Sequence, residues 1–260
     1  MPKDDVRTPD GEFDRLLAGD HPAFPAPEDQ SATIWRYLDF AKFVWMLDRR
    51  QLSMPHCTLM EDPFEGTTPL HQIEDLESRA ERERDRARME RLRKLAGDFR
   101  KGYFVSSWHI NDVESEAMWK LFSASTNAVA LQTTFARLRD ALPPYVGVGM
   151  VRYIDYRSEA LSGADLFQWI MHKRKSFAHE QEMRAVASLH TPDDVGGREI
   201  RTRSDEFGFY PEVDLEALIE AVRVHPLAES WFVELVGRVV ERFGLKLPVR
   251  RSEMAAKPLL

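Results

Sequence analysis

The sequence predicts an α+β fold with mixed or antiparallel sheets around a strand-based polar cleft. Short β-branched and aromatic runs such as Tyr103 to Trp108 and Met183 to Leu189 alternate with amphipathic helical stretches, and no internal repeat is visible. There is no Gly-x-Gly-x-x-Gly and no Gly-Lys-Ser/Thr phosphate loop, so Rossmann and P-loop architectures are not expected. Polar residues that a plain core strand would avoid, Arg36, Ser106, Ser107, Glu180 and Glu182, stand in or beside the strand candidates.

Composition is consistent with one ordered unit. The 260 residues are 43% hydrophobic, ample for a sizeable core. A formal net charge of -7 gives no global attraction to nucleic acid or anionic lipid. A single cysteine, Cys57, builds no disulfide framework, the first dozen residues lack a signal-like apolar run, and no apolar stretch approaches the roughly 20 residues needed to span a bilayer. The expectation is a soluble, cytoplasmic protein with no membrane partner.

Residues 1–30 carry Pro2, Pro9, Pro22, Pro25 and Pro27 among charges and read as a flexible leader with one short helix near Phe13 to Leu17. The single α+β domain then occupies 31–260. Ile34 to Tyr37 reads as a strand, and Asp39 is placed to cap a helix from Phe40 to Arg49. Leu52, Met54 and Cys57 suggest an extended segment leading into the turn-rich Glu61-Asp62-Pro63-Phe64-Glu65-Gly66.

From about 72 to 101 Glu, Arg and Asp dominate over a thin apolar stripe, which predicts a long charged surface helix inserted in the domain. Arginines at three- to four-residue spacing make 73–100 a candidate contact for a protein partner. Further strands are expected at Tyr103 to Trp108, Ala128 to Gln132, Val146 to Tyr153 and Met183 to Leu189. Helices are expected after Asp112 or Ser115, from Thr134 to Ala141, over Leu166 to Phe177 and from Ala228 to Phe243. The Gly147 and Gly149 pair marks a close backbone approach or a bulge, and 191–206 with Gly196-Gly197 a loop or hairpin tip.

Four constellations carry candidate chemistry. On a strand, Glu180 and Glu182 would share a face, and two crowded carboxylates suit the stabilisation of a cation unless they simply pair with Lys and Arg at a strand edge. Ser106 and Ser107, beside Trp108 and His109, either satisfy neighbouring groups or orient a polar ligand against aromatic faces. Arg36, between Trp35 and Tyr37, suits a phosphate or carboxylate, with Asp62 or Glu65 as ordinary partners. The set His109, Asn111, Asp112, Glu114, Ser115 and Glu116 lacks metal-ligand spacing and reads better as helix capping, so no metal site is assigned.

Trp35-Arg36-Tyr37, Asp62-Pro63-Phe64-Glu65-Gly66, Ser106-Ser107-Trp108-His109, Glu114 to Trp119 and Phe177 to Arg184 together resemble the motif series of a bacterial family of unknown function. More loosely, Arg36, then Phe104-Val105-Ser106-Ser107, then Glu180-Gln181-Glu182 resembles the arginine, serine and glutamate motifs of mono-ADP-ribosyltransferases. Trp108 departs from that pattern, standing where a third small hydroxyl residue is usual, and the charged helix is foreign to it. The resemblance implies an ADP-ribosyltransferase-like cleft with NAD as substrate. Arg36 would hold the diphosphate, Ser106 and Ser107 would brace the nicotinamide ribose, and Tyr37 or Trp108 would stack the nicotinamide. Glu182 would stabilise the oxocarbenium-like transition state and Glu180 would assist a protein or nucleic-acid acceptor. Two other classes stay open: a non-catalytic interaction or stress-response module, and a metal-dependent nucleic-acid hydrolase using Glu114, Glu116, Glu180 and Glu182.

Overall fold

The computed structural model describes residues 15–60, 62–67, 69, 100–123, 125–161, 167–189, 194–195, 198–199 and 207–256. The helix expected over 72–101 therefore lies outside the described residues except at its last two positions.

In chain order the elements begin with β1 (Thr33–Asp39), α1 (Phe40–Arg49), β2 (Met54–Pro55), a 3-10 turn Cys57–Leu59 and β3 (Tyr103–Ile110). They continue with α2 (Glu116–Phe122), β4 (Ala128–Thr134), α3 (Phe135–Ala141), β5 (Gly147–Met150), β6 (Arg152–Ile154), β7 (His172–Arg174), a 3-10 turn Lys175–Glu180 and β8 (Glu182–Ser188). The last are β9 (Asp194–Val195), β10 (Arg198–Glu199), β11 (Gly208–Phe209), α4 (Leu215–Leu218), β12 (Ala221–Val224), α5 (Ser230–Arg242), β13 (Val249–Arg251) and a 3-10 turn Glu253–Ala255. Seven strands form one sheet in the order β13-β12-β4-β1-β3-β8-β5, antiparallel at every neighbour except the parallel β12 and β13.

Pairing along this sheet is uneven, and the unevenness opens the cleft. β1 pairs with β4 over all seven of its residues, and β3 with β8 over seven. Between β1 and β3 the ladder holds only Ile34↔Ile110 and Trp35↔His109. The sheet is thus two wings joined at one end, with Arg36 to Asp39 diverging from Tyr103 to Trp108. Both faces of β1 carry buried apolar side chains, Ile34 and Leu38 on one and Trp35 and Tyr37 on the other, with Arg36 the charged exception where the strands part.

One face carries the main core, where Ile34, Leu38, Phe104, Trp108, Val129, Leu131, Met183 and Ala185 meet Phe43, Met46 and Leu47 of α1 and Phe232, Val236 and Val240 of α5. Those helical positions recur at three- and four-residue spacing, which puts them on one side of each helix. A fully buried Phe of this kind contributes about 1.5–3 kcal/mol. The opposite face is covered by two separate clusters. Trp35, Tyr37, Ala128 and Ala130 pack on Met118 and Trp119 of α2, while Tyr103, Val105 and Val186 pack on Leu16, Ala23, Phe167 and Met171. Ser107, His109, Glu182 and Arg184 lie between the two.

Several elements differ from expectation. Residues 15–30 were expected to be a flexible leader; instead Leu16 and Ala23 are buried, Phe24 stacks on Phe167 at 5.2 Å, and the Met150 amide donates to Pro25 at 2.8 Å. Gly147 and Gly149 make this docking possible, because a Cβ at Gly149 would stand 2.5 Å from Phe24 Cα. The strand expected over 146–153 breaks at Val151, since β8 begins at Glu182 and offers no further partner; the chain turns to pair with β7 in parallel. The helix expected over 166–177 is absent from the described 167–177. Phe167, Ile170 and Met171 are buried in a turn and His172 to Arg174 form β7, because Lys173 and Arg174 reach carboxylates that only an extended backbone presents. Asp39 stands at the N-terminus of α1 without a side-chain capping bond and pairs with Lys42 at 3.0 Å.

Candidate functional site

A cavity of about 860 Å³ opens where the two wings part. Arg36, Trp108, Ser107, His109, Lys173, Glu180 and Glu182 line it, together with Trp45 and the exposed Leu59, Leu121 and Phe122. Its size lies within the range of small-molecule and cofactor sites.

Glu182, the first residue of β8, is 5% exposed. Each carboxylate oxygen has two donors. Oε1 accepts from Ser107 Oγ at 2.5 Å and Arg184 Nε at 2.7 Å; Oε2 accepts from Arg184 Nη2 at 2.9 Å and Lys173 Nζ at 3.2 Å. Burial alone would raise its pKa, but the cations of Arg184 and Lys173 with the Ser107 hydroxyl outweigh it and hold the group down at about 2. Arg184 is wholly buried and shared, since it also bonds Glu65 and donates to the Ile170 carbonyl. Burial opposes its charge, yet Glu182 and Glu65 together push its pKa above the ordinary arginine value.

Glu180 differs from the strand geometry expected for it. It ends a 3-10 turn, and Gln181 follows at a left-handed φ of 40°, so the two glutamates converge through a kink in place of strand alternation. The kink is held from β3: His109 Nδ1 lies 2.6 Å from the Glu180 carbonyl and the Ile110 amide donates to Gln181. Burial lowers the His109 pKa, against the bond to Glu180, and because a carbonyl can only accept, Nδ1 is the ring nitrogen that donates there. Burial also raises the pKa of Glu180, against the pull of Lys173, whose Nζ is 2.5 Å away.

Arg36 does not pair with Asp62 or Glu65. Asp62 takes a bidentate bond from Arg174 at 2.9 and 3.0 Å, and Glu65 takes Arg184 and Lys173. Arg36 instead donates to the Ser53 carbonyl at 2.7 Å and lies 5.7 Å from the centroid of the Trp108 ring. Burial lowers its pKa to about 10, still protonated at neutral pH. Among the described residues it is a cation on the cavity wall with no carboxylate partner.

Other expected residues have other duties. Ser106 points away from the cavity and accepts from Trp108 Nε1 at 2.9 Å, so only Ser107 of the pair faces the site. This follows from strand alternation, which sends neighbouring side chains to opposite faces. Tyr37 borders the cavity, but its hydroxyl accepts from the Ser115 amide and its ring meets Trp119 edge-on at 4.9 Å, anchoring α2. Ser115 caps α2, Glu114 accepts from Trp119 Nε1, and Glu116 pairs with Lys120 on the surface. Glu114 and Glu116 do not line the cavity. Glu65, Lys173 and Arg184 complete the site without belonging to the transferase-like motifs; Arg184, a charge inside the otherwise apolar β8, carried a signal in the sequence, whereas Glu65 in a turn-rich loop and Lys173 in a basic run did not.

Comparison with protein-family models, with curated proteins and with solved structures returns no match.

Proposed function

We propose that the chain is an NAD-dependent ADP-ribosyltransferase acting on a macromolecular acceptor, protein or nucleic acid. One observation carries the reading: Arg36, Ser107 and the Glu180 and Glu182 pair, distant in sequence, face a single cavity at the parting of β1 and β3.

In this reading the guanidinium of Arg36, which has no carboxylate partner among the described residues, takes the diphosphate, for which its planar fork is suited. Trp108 beside it offers an aromatic face to the ligand. The bond from ribose C1′ to the nicotinamide nitrogen breaks with its electron pair leaving on nicotinamide, so positive charge develops on the ribose. A carboxylate fixed and ionised in advance, as Glu182 is by four donors, stabilises that charge without having to reorganise. Glu180, more exposed than Glu182 and with its pKa raised by burial, accepts the proton of the acceptor nucleophile as the new C1′ bond forms.

The test is the melting temperature of the full chain with and without millimolar NAD, together with release of nicotinamide from labelled NAD. A specific ligand raises stability by mass action. The expected result is a shift lost in Arg36→Met and retained in Glu180→Gln, with nicotinamide release abolished in Glu180→Gln. Absence of a shift in the wild-type chain would overturn the reading and favour a non-catalytic interaction module.

A further inference from the structure

Lys173 belongs to none of the motifs that suggest transferase chemistry, yet its ammonium reaches three carboxylates on three segments. Glu65 Oε1 of the 62–67 loop lies at 3.2 Å, Glu180 Oε2 at 2.5 Å and Glu182 Oε2 at 3.2 Å. An ammonium has three donors, one for each acid. The side chain is 8% exposed, and the Phe177 ring centroid sits 4.9 Å from Nζ.

The three acids are not equally dependent on it. Glu65 and Glu182 each have a second cation in Arg184. Glu180 has, among the described residues, Lys173 alone. Among the described residues, three carboxylates against two cations leave one negative charge in excess, and Glu180, with one cation, is the acid least shielded from it.

We propose that Lys173 is a positioning residue whose ammonium keeps Glu180 ionised and turned toward Glu182 on the cavity wall, ready to accept a proton at neutral pH. The role given to Glu180 rests on the transferase reading; the tie between Lys173 and Glu180 does not. The groups facing Glu180 are Lys173 of β7, Glu182 of β8 and Glu65 of the loop; the Tyr153 hydroxyl of β6 lies beside Glu182, and His109 of β3 meets the Glu180 carbonyl. Of these only Lys173 brings an opposite charge to the Glu180 carboxylate. Burial, Glu182 and Glu65 all favour its protonation.

The tie can be read directly by carboxyl 13C and lysine 15N NMR of the full chain, with Glu180 identified through Glu180→Gln. In the wild type the Lys173 Nζ resonance is expected to move at the midpoint of the Glu180 titration. Lys173→Met should raise that midpoint by about one pH unit or more, as expected when an adjacent opposite charge is removed, and Lys173→Arg should largely restore it. The acid limb of nicotinamide release should move by the same amount. An Nζ resonance that stays flat through the Glu180 titration, or an unchanged Glu180 midpoint in Lys173→Met, would overturn the proposal. Should Lys173→Met fail to fold, the wild-type Nζ measurement decides alone. A linked titration in a chain that releases no nicotinamide would keep the tie and remove only the reaction assigned to it.

Discussion

Ser107 Oγ donates to Glu182 Oε1 across 2.5 Å, from β3 to β8. The two residues are not directly opposed in the ladder: Ser107 faces Arg184 and His109 faces Glu182, so the contact is a diagonal one on a shared face. It fixes the carboxylate's rotation from a neighbouring strand while Arg184 and Lys173 fix its charge.

Ser107→Ala removes one donor of four and should leave the fold nearly intact. Nicotinamide release is expected to fall about ten- to a hundredfold, in line with the loss of a single orienting bond at a reacting charge. Ser106→Ala should do the reverse, costing about 1–3 kcal/mol because Trp108 Nε1 is left unpaired, with release per folded molecule unchanged. Denaturant unfolding and turnover, measured on both variants, separate the two serines.

Arg36→Met is expected to keep or raise the melting temperature while eliminating the response to NAD. Burial holds the folded-state pKa at about 10, below the ordinary arginine value, so the charged form disfavours folding at neutral pH. Arg36→Lys retains a charge but not a two-pronged donor and should recover only part of the response. A large loss of stability in Arg36→Met would show that the arginine serves the fold.

The two glutamates should leave opposite signatures in stability against pH. Glu182 has a folded pKa near 2, below the ordinary 4.5, so its contribution is complete above about 4.5 and is lost as pH falls toward 2. Glu180 has a raised folded pKa, so its ionisation costs stability as pH rises through that value. Glu180→Gln should therefore raise the melting temperature at neutral pH, whereas Glu182→Gln should lower it and flatten the acid transition. Melting curves from pH 2 to 8 on the three chains check both signs.

Gly149→Ala should release the N-terminal segment. Its Cβ would meet the Phe24 backbone, which cannot yield as a side chain tip can. A cost of about 1–3 kcal/mol is expected for such overpacking. Faster proteolysis between residues 15 and 30, with the cavity residues unaffected, would be the readout.

Much of the fold was legible locally. The strands at 33–39, 103–110, 128–134 and 182–188 and the helices at 135–141 and 230–242 follow from apolar periodicity, Thr134 as a cap, and Gly244 at a φ of 71° as a stop. The segment 167–177 was not, because its basic residues fit a helical stripe until Asp62, Glu65 and Glu182 are placed beside them. Residues 15–30 looked unable to bury surface, and found their partners far along the chain, in Phe167 and in the close approach that Gly147 and Gly149 allow.

The sequence by itself determined which residue types were present for chemistry and in what order: Arg36 on an early strand, a serine pair, then two glutamates around a glutamine. Which serine faces the glutamates, that Arg36 meets the Ser53 carbonyl and not Asp62 or Glu65, and that Lys173 serves three acids at once were decided only in the tertiary structure. Side-chain alternation and periodicity are local and can be read along the chain, whereas charge pairing depends on distance in space, and the pairs Ser107 with Glu182 and Arg184 with Glu65 join segments that strand pairing and packing had first to bring together.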